Sequence, residues 1–110
     1  MNSYYKGIIT EYIAIIYLFF HGYKILKRRY KTHYGEVDIV ALKDNNIVGI
    51  EIKARFNQPI TPEYVYNKQR QRILNSLSNF IYKNPKYNKY GINLEIIVFK
   101  SFFNFKHFKN

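Results

Sequence analysis

The sequence predicts one α/β domain whose mixed β-sheet is flanked by helices, in the order α-β-β-β-α-β. Two short apolar segments, 35–41 and 47–53, enclose the turn-forming residues 43–46, which is typical of a β-hairpin. A helical pattern then separates the hairpin from an apolar segment at 94–99. A strand, a helix and a returning strand imply a right-handed crossover with parallel pairing. The 110 residues suit a single domain, 1–110, with a core over about 7–100 and a tail at 101–110.

The first helix is predicted from Gly7, because residues 1–6 carry few structural signals. Apolar residues recur at spacings of three and four as far as Phe19, and Gly22 suits the C-terminal cap. The apolar run is shorter than the roughly 20 residues that span a bilayer. It also lacks the basic start and small-residue cleavage site of a signal peptide. We therefore expect a cytoplasmic protein without a membrane partner.

The remaining elements follow from turn and cap signals. Residues 23–30 are predicted to form an opening strand, and the hairpin turn is centred on Asp44 and Asn45. Thr61 is the predicted N-cap of the second helix, with Pro62 at its first position. This helix should end before the Asn-Pro pair at 84–85, and 94–99 forms the last core strand.

The hairpin register brings carboxylates together. A turn at Asp44 and Asn45 places Asp38 opposite Glu51, and Glu36 opposite Lys53. Two facing carboxylates destabilise the fold unless a proton or a cation lies between them. Mg²⁺ or Mn²⁺ would resolve the conflict, because hard cations take carboxylate oxygens and complete their shell with water and phosphate. Asp38 and Glu51 are therefore the predicted metal ligands. Lys53 could direct a water molecule or neutralise a phosphate.

The hairpin residues belong to a longer ordered set. It runs through Gly7, Glu11, Ala14, Tyr17, Leu18, Gly22, Tyr23, the segments 35–40 and 51–55, and Lys68. This set resembles the YraN-like family, small bacterial proteins of the PD-(D/E)xK superfamily of metal-dependent nucleases. The resemblance implies a restriction-endonuclease-like core, and it places Lys68 near the site. The chain departs from the family where Arg29 replaces an Asn and where residues 93–95 replace Arg-Phe-Asp.

Glu11 and Glu36 are the predicted auxiliary carboxylates. The position of Glu11 resembles that of a helical glutamate in Holliday-junction-resolvase-like nucleases, which leans over the metal. Its alternative interpretation is an exposed residue that the helix dipole favours near the first turn. The chain has only seven acidic residues, and four of them fall on motif positions.

The net charge of +11 favours an anionic partner, with DNA expected before RNA. The candidate nucleic-acid contacts are basic residues near the predicted site: Arg28, Arg29, Lys31, Arg55 and Lys68. A solvated sheet edge, or the composition of an AT-rich genome, would also explain part of this basic excess. The chain has no cysteine, which excludes disulfides and thiolate metal sites.

The tail 101–110 interleaves four phenylalanines with basic residues. It could stack nucleic-acid bases, or it could close the sheet or a dimer contact. The resulting hypothesis is a Mg²⁺- or Mn²⁺-dependent endonuclease that acts on DNA, including branched or structured DNA. The alternatives are a catalytically inactive nucleic-acid-binding module and a small interaction protein that docks through its aromatic tail. A homodimer is compatible with so small a domain.

Overall fold

The computed structural model describes residues 2–59 and 63–109 and, within the second helix, the side chains from Arg70 onward. The helices are α1 (Ser3–Phe20), α2 (Glu63–Lys83) and a short 3₁₀ helix (Pro85–Tyr87). The strands are β1 (Lys24–Thr32), β2 (Gly35–Lys43), β3 (Asn46–Ala54), β4 (Gly91–Ser101) and β5 (Asn104–Lys109). The predicted order α-β-β-β-α-β is confirmed, and β5 is added at its end. Thr61 and Pro62, the predicted start of the second helix, lie outside the described residues.

The five strands form one mixed sheet in the order β1-β2-β3-β4-β5. β3 and β4 are parallel, with Glu51 beside Ile96, and the other three pairs are antiparallel. α2 therefore connects two parallel neighbours, as the strand-helix-strand pattern predicts. The four predicted strands are found within three residues of their expected ends.

The hairpin turn is centred on the two predicted residues, Asp44 and Asn45. Asp44 and Asn45 both have positive φ, 50° and 63°, as a type I′ turn requires at its two central positions. Leu42 consequently pairs with Ile47, and the predicted register holds as far as Ile39 and Ile50.

The start of α1 corrects the sequence prediction. The helix begins at Ser3, four residues earlier than expected, because the side chain of Asn2 accepts a hydrogen bond from the Tyr5 N–H at 3.1 Å. Asn is a favoured N-cap residue, so this signal was present in the sequence. The other end is as predicted: α1 stops at Phe20, and Gly22 has φ 85°, a conformation that glycine adopts without strain. In the described part of the chain, no helix is long and apolar enough to cross a bilayer.

The two helices cover opposite faces of the sheet. One buried cluster joins α1 to the sheet and comprises Ala14, Leu18, Tyr23, Ile39, Ala41, Val48, Ile50, Ile97 and Phe99. The other joins α2 to the sheet and comprises Val37, Val40, Ile47, Ile73, Leu77, Phe80 and Leu94. Val37 and Ile39 belong to different clusters although a regular strand would turn both to the same face. The alternation of β2 therefore changes at Asp38.

The tail folds into β5, which closes the sheet along β4. Phe105 packs against the α1 cluster, and Phe108 packs on Ile96 and Val98. Buried Glu95 accepts hydrogen bonds from the Tyr23 hydroxyl at 2.7 Å and from His107 Nε2 at 2.6 Å. Burial alone would raise the pKa of Glu95, but the contacts with His107 and Tyr23 outweigh it and lower that pKa. Sheet closure is thus the role of the tail that the structure shows, while Phe103 at the β4–β5 turn is 91% exposed.

Candidate functional site

Asp38 and Glu51 meet where the β2–β3 ladder ends. The last backbone pair of the ladder is Ile39 with Ile50. Beyond it, the Asp38 N–H donates to Glu51 Oε1 at 3.2 Å, and the Ile52 N–H donates to Asp38 Oδ2 at 2.8 Å. Each carboxylate is therefore held by a backbone N–H of the other strand. This arrangement fixes the two side chains that the register predicts to face each other.

Burial raises the pKa of both carboxylates, because it disfavours their charged forms. Glu51 is only 6% exposed, and burial followed by the charge of Asp38 raises its pKa to about 7. Burial is also the main cause that raises the pKa of Asp38, and the charges of Glu11 and Glu36 act in the same direction. Burial is thus a larger cause of the raised pKa values than the mutual repulsion of the two carboxylates.

Lys53 lies beside the pair, with its Nζ 3.8 Å from Glu51 Oε2. This charge lowers the pKa of both carboxylates, yet burial outweighs it. Lys53 follows Glu51 by two residues, so β-strand alternation turns both side chains to one face. Its side chain is 20% exposed, which leaves the amine access to solvent.

A small cavity of about 170 Å³ opens beside the pair and is lined by Glu36, Asp38, Glu51, Ile52, Lys53, Arg72 and Ile73. Arg72 is a basic neighbour that the resemblance did not single out, since it favoured Lys68. The side chain of Lys68 lies outside the described residues. Residues four apart share one face of a helix, so the position of Lys68 was itself a signal for Arg72.

Gly35 allows α2 to approach the start of β2. A Cβ atom at Gly35 would lie 2.7 Å from the backbone oxygen of Arg72. This contact is shorter than a side chain tolerates, and the atom it meets belongs to the backbone. The glycine that opens the Gly-Glu-x-Asp segment therefore permits the close packing that brings Arg72 to the small cavity.

A larger cavity of about 440 Å³ lies between α1 and the sheet. Its charged lining residues are Glu11, Arg29, Lys31, Glu36 and Asp38. Exposed Glu36 lines both this cavity and the small one, so the two adjoin at the carboxylates. Lys31 pairs with Glu36 across the β1–β2 ladder. The β2–β3 ladder does not extend to the predicted partners Glu36 and Lys53, although both line the small cavity.

Glu11 is buried and paired, so its alternative interpretation as an exposed helix residue is wrong. It is 7% exposed, and Arg29 contacts its Oε2 twice, through Nε and Nη2, each at 3.0 Å. Arg28 Nε lies 3.4 Å from Glu11 Oε1. That oxygen is buried and accepts no aligned hydrogen bond from the described residues. Two of the predicted phosphate contacts are thus held by an acidic side chain at the edge of the larger cavity.

Arg29 adopts a left-handed backbone conformation, with φ of 51°. This conformation is uncommon for residues other than glycine, and asparagine is enriched in it. The resemblance to the YraN-like family implies asparagine at this position, whereas Arg29 reaches Glu11.

A third cavity, of about 420 Å³, extends the larger one along α1. The two share Ser3, Gly7, Ile52 and Ala54 as lining residues, so they form one groove across the carboxylates. The third cavity adds Lys6, Lys53, Arg55, Phe56 and Gln58. Arg55 Nη1 donates to the Ala54 carbonyl at 3.1 Å, which fixes this predicted nucleic-acid contact at the groove wall.

Asp38 and Glu51 suit a hard divalent cation. Mg²⁺ needs only one or two carboxylates, because water and substrate phosphates complete its octahedral shell. Glu11 lines the larger cavity, and its Oε1 lies 3.4 Å from Arg28 Nε without accepting a hydrogen bond from the described residues. Among the side chains that the structure describes, those of residues 2–59 and 70–109, no group of three or more His, Asp or Glu residues is close enough to hold a metal ion. The donor set fits a two-carboxylate site, with Glu11 and Glu36 outside the immediate ligand shell.

Comparison with known proteins identifies the family. The model of "Uncharacterised protein family UPF0102" matches residues 10–99. A UPF0102 protein of Nitrobacter winogradskyi is 32% identical over 96 residues, which cover 87% of this chain and 81% of the relative. One from Bradyrhizobium diazoefficiens is 34% identical over 84% of this chain and 69% of its own length. One from Syntrophomonas wolfei is 43% identical over 62% of this chain and 65% of its own length. The chain belongs to the UPF0102 family, the YraN-like family that its ordered motif residues predict.

Proposed function

We propose that this protein is a Mg²⁺- or Mn²⁺-dependent phosphodiesterase that cleaves DNA at the groove beside Asp38 and Glu51. The observation that carries the proposal is the pair of half-buried Asp38 and buried Glu51. Two carboxylates with raised pKa values are held together by backbone N–H groups, and the amine of Lys53 lies 3.8 Å from one of them. Strongly shifted pKa values with a specific charged neighbour in a cleft are a common mark of functional sites.

Stability alone does not account for the pair. A buried carboxylate costs free energy unless it is paired and hydrogen-bonded, and two adjacent ones add repulsion. In the described part of the chain, Lys53 is the cation within 4.0 Å of Glu51, and it contacts only the Oε2 atom. An apolar pair would fill the same place in the sheet at lower cost. A divalent cation would balance the charge that Lys53 leaves uncompensated.

The residues have separable roles in hydrolysis. A metal ion held by Asp38 and Glu51 would polarise the scissile phosphate and lower the pKa of a bound water molecule. Lys53 can hold that water in line or neutralise the negative charge that develops on the phosphate. Attack of the water oxygen on phosphorus breaks the bond to the leaving sugar oxygen, which takes up a proton from solvent. Glu36 lines both cavities and can accept the proton of the water.

The groove provides contacts for a polyanionic substrate. Lys31, Arg55 and Lys6 line its walls. Arg28 and Arg29 can exchange Glu11 for substrate phosphates, since both side chains are more than 40% exposed. Such contacts position the sugar-phosphate backbone without reading sequence. Affinity for DNA should therefore fall steeply as salt rises, through counterion release.

A nucleic-acid-binding module without catalysis is the second candidate. Among the described residues, no third carboxylate lies close enough to the pair to hold a metal ion with it, and this favours the non-catalytic module. The ion pairs of Arg28 and Arg29 with Glu11 favour it as well. A partner-docking role for the tail is less favoured, because Phe105 and Phe108 pack within the domain.

Calorimetric titration with Mg²⁺ and Mn²⁺, beside cleavage of branched, duplex and single-stranded DNA, tests the proposal. The parent should bind one ion per chain and cleave at least one of these substrates. Salt-dependent DNA binding without metal binding would support the non-catalytic module instead. If the parent binds no metal ion and also fails to bind DNA at low salt, both candidates are excluded.

A further inference from the structure

The outward face of α1 carries a regular apolar seam. Tyr5, Ile9, Tyr12, Ile16 and Phe19 follow one another at spacings of four, three, four and three residues. This is the 3.5-residue repeat by which one helix packs along another. Tyr5 is 54% exposed, Tyr12 51%, Ile16 58% and Phe19 67%, and Ile9 is partly exposed.

The seam is not used by the fold. The residues of α1 that are buried against the sheet are Thr10, Glu11, Ala14 and Leu18. At 100° per residue, these four lie on the side of the helix opposite the seam. α1 is thus apolar on two faces, and the domain covers only one of them. A repeat of this kind on a solvent-facing surface indicates an interface.

The exposed area is large enough for a stable dimer. The four exposed seam residues are joined by Phe20, which is 76% exposed at the end of the helix. A fully buried aromatic side chain removes roughly 150–250 Å² from water, so these five residues offer roughly 600 Å² on each copy. Two copies would bury roughly 1,200 Å², which lies within the range of specific protein interfaces.

The charge distribution favours a second copy over a nucleic acid. Among the 18 residues of α1, only Lys6 and Glu11 are charged, and neither belongs to the seam. Arg28 lies 4.9 Å from the centre of the Tyr12 ring, and it is already paired with Glu11. Covering the seam therefore buries no unpaired charge. The rest of a chain with net charge +11 stays solvated. The five seam side chains themselves carry no charge, and Arg28, which lies beside Tyr12, already pairs with Glu11.

We propose that two copies of this chain associate through α1, antiparallel, with a twofold axis at Tyr12. Tyr5 and Phe19 both lie seven residues from Tyr12, so Tyr5 of one copy meets Phe19 of the other. Ile9 lies three residues before Tyr12 and Ile16 four residues after it, so these two meet with an offset of one residue, about 1.5 Å along the helix. A twofold interface requires such self-complementarity. The carboxylate groove lies on the sheet side of α1, so both grooves of the dimer remain open. The dimer does not depend on the proposed catalytic function.

Sedimentation analysis of the full chain tests the dimer. Ile16→Glu and Phe19→Glu should each raise the dissociation constant of the dimer at least about tenfold over that of the parent, since dimerisation would desolvate the introduced charge. Phe103→Glu removes the exposed phenylalanine of the β4–β5 turn and should leave the dimer intact. Added salt should strengthen association, because it screens the repulsion between two basic chains. A monomeric parent, or seam variants that dimerise like the parent, would overturn the proposal, provided circular dichroism shows that the variants are folded.

Cysteine cross-linking tests the orientation, because the natural chain has no cysteine. Tyr12→Cys should form a disulfide with its own copy under mild oxidation. Phe19→Cys alone should not, but a mixture of Phe19→Cys with Tyr5→Cys should. Tyr82→Cys, on the exposed face of α2, is the control and should stay monomeric in denaturing gels. Self-linking of Phe19→Cys would indicate parallel helices and contradict the antiparallel arrangement. Binding of monomeric parent to anionic lipid vesicles, lost in Ile16→Glu, would assign the seam to a membrane surface instead.

Discussion

Replacing Glu51 with glutamine should change how stability depends on pH. Burial raises the pKa of Glu51 from 4.5 in an unfolded chain to about 7. Between these values the native protein holds a proton that the unfolded chain has released. This proton stabilises the native state below pH 4.5, and the stabilisation is lost as the pH rises through 7. At about 1.4 kcal/mol per pKa unit, the loss in unfolding free energy is about 3 kcal/mol. The glutamine side chain keeps the shape of the glutamate and does not titrate.

Urea unfolding in the presence of chelator, from pH 5 to pH 8, measures this effect. The variant should gain about 3 kcal/mol on the parent across the range, since only the parent must ionise the side chain at position 51, whereas Asp38 titrates in both proteins. Asp44→Asn is the matched control. The side chain of Asp44 belongs to the same hairpin but is 82% exposed. The dependence of unfolding free energy on pH in this variant should therefore follow that of the parent. A constant difference between Glu51→Gln and the parent at every pH would refute the reasoning.

Three further substitutions probe the site and its scaffold. Lys53→Ala should keep the stabilisation by Mg²⁺, measured in thermal melts, because the amine is assigned to water and phosphate and not to the metal. Its cleavage rate should fall by about 100-fold or more. Gly35→Ala should cost about 1–3 kcal/mol of unfolding free energy in urea, since its Cβ would meet the Arg72 backbone oxygen. His107→Ala should cost about 1–3 kcal/mol, because it removes a hydrogen bond to buried Glu95.

Each of these expectations has a result that contradicts it. Loss of metal stabilisation in Lys53→Ala would show that the amine acts through the metal site itself. Parent-like stability of Gly35→Ala would mean that α2 can move away from β2 at little cost. Lys106→Ala, at the exposed neighbouring position of β5, is the control for His107→Ala. Equal losses in those two variants would assign the effect to the strand and not to the hydrogen bond.

The hairpin could be predicted because its signals are local. Turn residues at 44 and 45 set the register, and alternation then placed Asp38, Glu51 and Lys53 together. The role of β5 could not be settled in this way. Its alternating Phe105 and His107 were noted as aromatic residues among basic ones, but strand formation depends on pairing with β4 and on a partner for buried Glu95. Contacts between distant segments leave little trace in local sequence.

The charge partners at the groove were also beyond local signals. The sequence identified Glu11 as an auxiliary carboxylate near the metal, and Arg28 and Arg29 as contacts for nucleic acid. Their mutual contacts follow from the packing of α1 against β1, and from the left-handed conformation of Arg29. Spacing along a sequence does not encode such contacts. The position of Arg72 near the site could have been predicted from the sequence, since Arg72 follows Lys68 by one helical turn.

Thermal melts of the parent and Asp38→Asn, with chelator and with Mg²⁺ or Mn²⁺, decide whether the two carboxylates are a metal site. In chelator the variant should be at least as stable as the parent, because it lacks one of two repelling charges. At a metal concentration about 100 times the dissociation constant, the parent should gain about 2.7 kcal/mol through binding linkage. Asp38→Asn should gain none of this stabilisation. If parent and variant respond identically to metal, Asp38 and Glu51 do not bind it, and the proposed phosphodiesterase mechanism is wrong.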